Sequence, residues 1–176
     1  VGGMEGTFQL GPDDGRLLLR TGRSGLGRRA GHDLTIEATR WSASVTAREP
    51  LQESSAEVAV EVDGLEVREG AGGALPLSDG DRADITKNLR KILDTGRYPQ
   101  ITFVSTAVGD DAVEGDLTIM GRTKPVRIRA ALDGDRVRGG LTVTQSRWGI
   151  KPYSAFFGAL RLADDVEIEF DLTLPV

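Results

Sequence analysis

The sequence predicts an all-β protein, an antiparallel up-and-down barrel of about eight strands with one amphipathic helix. From Val166 to Leu174 every second residue is apolar, and the residues between are charged or polar. Side chains on a strand point alternately to opposite faces, so this segment has one apolar and one wet face. The same alternation recurs along most of the chain between turn-forming segments. Closure into a barrel would protect the edges of such a sheet, and a sandwich is the alternative.

The amino-terminal half contains strands separated by glycine-rich segments. The predicted strands are Thr7–Leu10, Arg16–Thr21, Leu34–Thr39, Trp41–Ala47 and Glu57–Val62. The cluster Gly11–Gly15 contains proline, aspartate and glycine and is predicted as the first turn. The tracts Thr21–Gly27 and Glu69–Leu77 lack alternation and are rich in glycine, so we expect both to be loops.

One segment, Asp81 to Leu93, changes to helical spacing. Ile85, Leu89 and Ile92 fall at helical spacing, and the acidic start and basic end agree with the helix dipole. Gly96 is the expected stop. Alternation then resumes, with apolar positions at Ile101, Phe103, Val113, Leu117, Ile119, Val126, Ile128, Ala130, Leu132, Val137, Leu141 and Val143, and a hairpin turn at Asp133–Asp135.

Composition limits the classes of function. The chain has 176 residues, which suits one domain, expected over residues 4–176 because Val1–Gly3 resembles a short remnant of cloning ahead of Met4. The net charge of −5 argues against a nucleic-acid partner. No apolar run approaches the roughly 20 residues that span a bilayer, and no signal segment is visible. We therefore expect a soluble protein without an integral membrane segment, located in the cytoplasm unless a signal was removed.

Few residues carry recognisable chemistry. There is no cysteine and one histidine, His32, so a transition-metal site is not expected. His32 precedes Asp33, but neighbouring strand residues point apart and no nucleophile is evident. A hydrogen bond near the barrel mouth or a contact to a ligand head group is the favoured role. The segment Ser146–Gly158 contains four aromatic residues and is expected to form a plug or a gate at one end of the barrel.

Several longer segments resemble the YceI family of lipocalin-like, polyisoprenoid-binding proteins. They are Asp84–Leu89, Arg97–Thr106, Val113–Val126 and Ser146–Ile150, in that order. The resemblance covers most of the chain from about Leu17 onward. It implies an extended barrel that holds a long lipid, such as an isoprenoid quinone, a polyprenyl compound or a fatty-acyl compound, with no cofactor required. The family's Asp-x-His-Leu at the helix reads Thr86–Leu89 here.

The expected lipid contacts divide into tail and head-group positions. The tail is expected to lie along Leu17, Leu19, Leu34, Ile36, Val58, Val60, Ile101, Phe103, Leu117, Ile119, Ile128, Leu141, Val143, Trp148, Phe156, Phe157 and Phe170. Head-group or rim contacts are expected at His32, Asn88, Arg147 and Tyr153. No catalytic residue and no metal ligand is predicted, and we expect the protein to bind its lipid for carriage, storage or sensing rather than to be an enzyme.

Two alternatives stay open at this level. The first is an enzyme that acts on a lipid-like substrate with His32 as acid or base. The second is a ligand-free structural barrel, in which the inward Val, Ile, Leu and Ala side chains close-pack as a core. An unpaired strand edge or the aromatic segment could also mediate a homodimer.

Overall fold

In the computed structural model the described residues are 5–23, 33–71, 78–151, 154–155 and 160–175. The strands are β1 Gly6–Leu10, β2 Gly15–Arg23, β3 Asp33–Ala38, β4 Trp41–Ala47, β5 Ser55–Glu61, β6 Leu65–Ala71, β7 Gln100–Val108, β8 Ala112–Ile119, β9 Arg122–Asp133, β10 Arg136–Thr144, β11 Ser154–Ala155 and β12 Leu160–Thr173. One α-helix, α1, spans Asp79–Ile92. The all-β class and the single helix agree with the sequence prediction for the part of the chain described.

The strands form one curled, half-barrel sheet in which all neighbouring strands are antiparallel. Their order is β1-β4-β5-β7-β8-β9-β10-β12-β2-β3-β6, and the short β11 pairs with β12. The expected number of about eight strands is wrong, because this path contains 11. Strand β6 was not predicted at all, since its short alternation at Leu65 and Val67 runs into a glycine-rich tract.

Short corners separate consecutive strands in the amino-terminal half. A 3-10 turn at Pro12–Asp14 separates β1 from β2, which confirms the predicted first turn, and another at Val62–Gly64 separates β5 from β6. Only Thr39 and Arg40 join β3 to β4. The corners bond to each other, since the Thr39 amide donates to the Gly64 carbonyl at 2.9 Å and the Glu61 amide donates to the Arg40 carbonyl at 2.9 Å. A Cβ on Gly64 would lie 2.7 Å from the Arg40 Cβ, so only glycine allows this approach.

The connection between β3 and β4 explains the curl of the sheet. β3 lies beside β6 at one end of the strand order, whereas β4 lies beside β1 at the other end. Two residues can span only about 11 Å between the flanking Cα atoms. The two ends of the sheet must therefore approach each other at this corner, which gives the sheet a concave and a convex side.

The other turns and loops agree with the sequence in part. The predicted hairpin turn joins β9 to β10 through Gly134, which has a φ of 63°. The loop prediction is wrong for Thr21–Arg23, which belong to β2, and for Glu69–Ala71, which belong to β6. In both places the backbone stays paired with a neighbouring strand despite the glycines: β2 pairs with β12, and β6 pairs with β3. The rest of both predicted loops lies outside the described residues.

Helix α1 begins two residues earlier than the sequence predicts. Ser78 is the N-cap, accepting a hydrogen bond from the Asp81 amide, and the Asp81 carboxylate accepts one from the Ser78 amide in return. Ile85 is completely buried, and Thr86 accepts a hydrogen bond from the Val67 amide of β6 at 3.1 Å. The expected stop at Gly96 is replaced by Leu93 at the C-cap, followed by Asp94 with a φ of 51°.

The cap at Ser78 should stabilise the whole fold, because α1 packs against β6. We expect Ser78→Ala to lower the free energy of unfolding by about 1 kcal/mol, the usual value of an N-cap side chain. Ser42→Ala, on the exposed outer side of β4, is the control and should change it little. Urea unfolding followed by circular dichroism measures both, and equal midpoints for the two variants would contradict this role.

Candidate ligand-binding face

The apolar positions predicted from the alternation lie on one face of the sheet, here called the inner face. Residues directly opposite each other on paired strands share a face, so the register identifies its members. The inner-face pairs are Val60 with Ile101, Val58 with Phe103, Phe103 with Leu117, Val113 with Ile128, Leu141 with Ile168, Leu19 with Ile168 and Ile36, and Leu17 with Phe170. The predicted tail contacts on described strands are thus brought together.

Two buried clusters lie on the inner face. The first contains Leu34, Ile36, Trp41, Val62 and the helix residue Ile85. The second contains Phe103, Leu117, Leu141, Val143 and Trp148, with others. Four partly buried residues pack against both clusters, namely Val58, Ile92, Leu93 and Ile101. These four residues make the apolar inner face continuous from one cluster to the other.

The predicted tail contacts differ in how much surface they offer. Leu34 and Trp148 are each 1% exposed, so their side chains pack against protein atoms. Another set of inner-face residues keeps part of its side-chain surface accessible, comprising Leu17, Leu19, Val58, Val60, Ile101, Val126, Ile128, Ile168 and Phe170. Partial exposure on the concave side means that this apolar surface is not fully covered by the described side chains. A ligand tail would contact these residues first.

Some members of this lining were missing from the predicted contacts. Val126 and Ile168 continue the strand alternation on the inner face, so the same pattern could have found them. Ile92 and Leu93 come from the end of α1. No pattern within the sequence shows that this helix end lies over the sheet, because that contact joins segments far apart along the chain.

Charged side chains occupy the outer face. Arg20 pairs with Glu169 at 2.9 Å and Arg68 with Glu37 at 3.1 Å, in each case across neighbouring strands. Arg136 donates two hydrogen bonds to Asp171, which hold the pKa of that carboxyl below its usual value. These pairs are exposed or partly exposed, so each contributes little stability individually. Their effect is to keep the two faces of the sheet chemically distinct.

The predicted head-group residues are only partly described. Arg147 is exposed, and its guanidinium lies 5.2 Å from the centre of the Trp148 ring. Asn88 is a partly exposed residue of α1. His32, Tyr153, Phe156 and Phe157 lie outside the described residues. In the described part of the chain, no group of three or more His, Cys, Asp or Glu side chains could hold a metal ion.

Trp148 anchors the aromatic segment to the sheet. It belongs to a 3-10 turn, Gln145–Trp148, that directly follows β10. Its indole Nε1 donates a buried hydrogen bond of 3.0 Å to the Leu117 carbonyl of β8. Trp148 is called the plug here, since its buried ring packs against the inner face. Whether the whole segment forms a plug or a gate stays a prediction, because Tyr153, Phe156 and Phe157 lie outside the described residues.

A pocket of about 450 Å³ opens beside this plug. Its lining includes Gly115 and Glu114 of β8, Val126 and Arg127 of β9, and Leu141 of β10, with Arg147 at its edge. The volume lies within the range of small-molecule sites. Residues of both the apolar inner face and the charged outer face line this pocket. None of the described helices has the length and apolarity to cross a membrane.

Comparison with known sequences assigns most of the chain to one family. The family model described as YceI-like domain matches residues 21–174. Protein YceI from a strain of Escherichia coli is 47% identical over 70 residues, which are 35% of this chain and 37% of that protein. A UPF0312 protein from Yersinia enterocolitica is 42% identical over 62 residues, 32% of each chain. The chain thus spans well under half the length of the curated relatives it matches.

Solved structures show the same fold. BcnA from Burkholderia cenocepacia has a TM-score of 0.64 and 21% identity, and the match covers 90% of this chain and 94% of that one. A YCEI protein from Campylobacter jejuni has a TM-score of 0.55 and 14% identity over 78% of this chain and 81% of that one. At these identities the likeness concerns the arrangement of strands and helix.

The hydrogen bond of Trp148 gives a test of the plug. We expect Trp148→Phe to lower the free energy of unfolding by about 1 to 3 kcal/mol, because the Leu117 carbonyl loses its buried donor. Trp41→Phe is the matched control, since Trp41 is also buried but its indole N–H donates to no described residue. Thermal and urea unfolding compare the two. Equal losses would show that ring packing, and not the hydrogen bond, fixes the plug.

Proposed function

The chain belongs to the YceI-like domain family, and we propose that it binds an amphiphilic lipid with the lipid tail on the inner face of the sheet. The ligand class comprises isoprenoid quinones, polyprenyl compounds and fatty-acyl compounds. The proposed role is carriage, storage or sensing of this lipid, without catalysis.

The partly exposed apolar inner face is the observation that carries the proposal. It is continuous through Val58 and Ile101, and it lies on the concave side of a sheet whose outer face is charged. A fully packed core would bury these side chains, whereas Leu17, Leu19 and Ile128 keep accessible surface. Leaving such a surface in water is unfavourable, and a hydrocarbon tail would cover it.

Burial of the lipid tail's apolar surface can supply enough free energy for tight binding. Each methylene removed from water contributes about 0.8 kcal/mol, so a tail of about ten methylenes gains roughly 8 kcal/mol before the costs of ordering. This contribution is non-directional. We therefore expect the inner face to discriminate weakly between tails of similar length, and selectivity to come from the polar end of the ligand.

The chemistry of the lining supports binding over catalysis. The described predicted contacts on the strands are aliphatic residues and phenylalanines, and they carry no acid, base or nucleophile. The enzyme alternative depends on His32 alone. His32→Ala separates the two functions, because a binder should keep most of its lipid affinity whereas an enzyme should lose turnover of any lipid substrate.

Native mass spectrometry of the freshly purified protein, followed by lipid extraction, tests the proposal directly. We expect a bound amphiphile, or uptake of added fatty-acyl or quinone probes at about one per chain, as one continuous inner face predicts. Absence of lipid, together with no uptake of either probe, would contradict it and favour the ligand-free barrel.

A matched pair of substitutions locates the tail. Val58 is partly exposed on the inner face, whereas Val104 is 47% exposed on the outer face. We expect Val58→Phe to fill the junction between the clusters and weaken tail binding about ten-fold, the loss of roughly two methylene contacts. Val104→Phe adds the same atoms outside and should leave the affinity unchanged. Isothermal titration with dodecanoate measures both affinities, after circular dichroism has verified that each variant is folded. Equal affinities of the two variants for dodecanoate would show that the tail does not bind at Val58.

A further inference from the structure

The sheet is split between β9 and β10. The residues of β9 from Arg129 to Asp133 pair with β10 from Arg136 to Gly140. Beyond this point, β9 from Arg122 to Ile128 pairs with β8, and β10 from Leu141 to Thr144 pairs with β12. Within the described residues no strand pairing joins these two stretches to each other. The two strands therefore diverge towards the end of the sheet where Trp148 lies.

The pocket of about 450 Å³ lies at this split. Thr142 and Arg127 contribute from the exposed outer face, whereas Leu141 and Val126 contribute from the inner face. Adjacent residues of one strand point to opposite faces. Both members of each pair line the pocket, so it lies where the two strands separate and is bounded by residues of both faces.

Neighbouring side chains define the limits of the opening. Trp148 lies between β8 and the end of β10, fixed by its hydrogen bond to the Leu117 carbonyl. On the β8 side, Gly115 is covered by the Phe103 ring, since a Cβ at this position would lie 2.5 Å from Phe103 Cζ. Position 115 thus projects no side chain, and the Phe103 ring packs against it on the inner face.

The rim of the opening carries more positive than negative charge. Two guanidinium groups, of Arg127 and Arg147, and one carboxylate, of Glu114, line the pocket. The contacts of Arg127 with Glu114 and Asp111 are both 4.0 Å long, and its side chain is 66% exposed. Such long exposed contacts are weak, so Arg127 can exchange them for a ligand. Guanidinium groups provide paired N–H donors that match carboxylate and phosphate oxygens.

We propose that this split is a lateral entrance for an amphiphile with an anionic head group. The tail passes between β9 and β10 to the inner face, and the carboxylate or phosphate stays at the surface between Arg127 and Arg147. The inference rests on the proposed function, because it requires a tail-binding inner face. It adds the route of the ligand and the chemical class of its head group.

A comparison of head groups tests the two arginines. We expect dodecanoate and dodecyl phosphate to bind at least about ten-fold more tightly than 1-dodecanol, as charge-assisted hydrogen bonds predict. The double variant Arg127→Met, Arg147→Met should remove this preference, so that the affinities for the two anions and for the alcohol become similar. Arg129→Met, two residues further along the same exposed strand face, is the control and should keep the preference. Binding of only one of the two anions would identify the head group within the proposed class.

Blocking the opening tests the route separately. The chain has no cysteine, so Thr142→Cys gives a unique attachment point on the outer side of the pocket. We expect coupling of a polyethylene glycol maleimide there to slow association of a fluorescent fatty acid about ten-fold or more, by steric exclusion from a pocket of limited volume. The same label on Ser42→Cys, exposed on β4 away from the pocket, should have no effect. Stopped-flow fluorescence measures both rates.

The outcomes distinguish this inference from the proposed function. If the wild-type protein takes up no fatty acid, quinone or alcohol, the lipid-binding function itself is wrong. If it takes them up, but the double arginine variant keeps the anion preference and the label on position 142 has no effect, only the lateral entrance is overturned.

Discussion

The pairing of backbone groups around the corner of Thr39 and Arg40 is the constraint on which the rest of the structure depends. A strand must satisfy its N–H and C=O groups on both sides or leave them to water. Here the chain turns from one end of the strand order to the other in two residues, and the turn at Val62–Gly64 follows it in register. The shared bend forces the sheet to curl, and the curl gives an apolar face a concave side.

The concave face and its charged counterpart are consequences of the same alternation. Once the sheet curls, every inward residue meets others across a short distance, which buries Leu34 and Ile36 almost completely. On other strands of the same face Val58, Ile101 and Ile128 are only partly buried. The helix end at Ile92 and Leu93 covers part of this region and joins the two clusters. The surface on which the proposed tail binding depends is thus the portion of the apolar face that neither the curl nor the helix covers.

The sequence predicts local features well, but it predicts poorly the contacts between residues that are far apart along the chain. The inner-face residues of β3, β7 and β8 followed from a period of two, and the turn at Pro12–Asp14 from its composition, both of which depend only on neighbouring residues. Strand β6 was missed, because its pairing with β3 becomes visible only when the partner strand is known. The N-cap at Ser78 could have been read from its spacing to Asp81. The pocket could not have been predicted from the sequence, since it depends on how far along their length β9 and β10 stay paired.

The low identity among similar folds follows from these constraints. Solved relatives share the fold at 14% and 21% identity, and a curled sheet requires only the alternation, the corner residues and small residues at close approaches. An inner face built from interchangeable aliphatic residues cannot by itself select among lipids of similar tails, because area burial is non-directional. Discrimination must then come from the few polar groups beside the apolar surface. In this chain Arg127 and Arg147 line the pocket at the split between β9 and β10. Under the proposed function, substitutions there would change ligand preference while the fold and the proposed tail-binding face are retained.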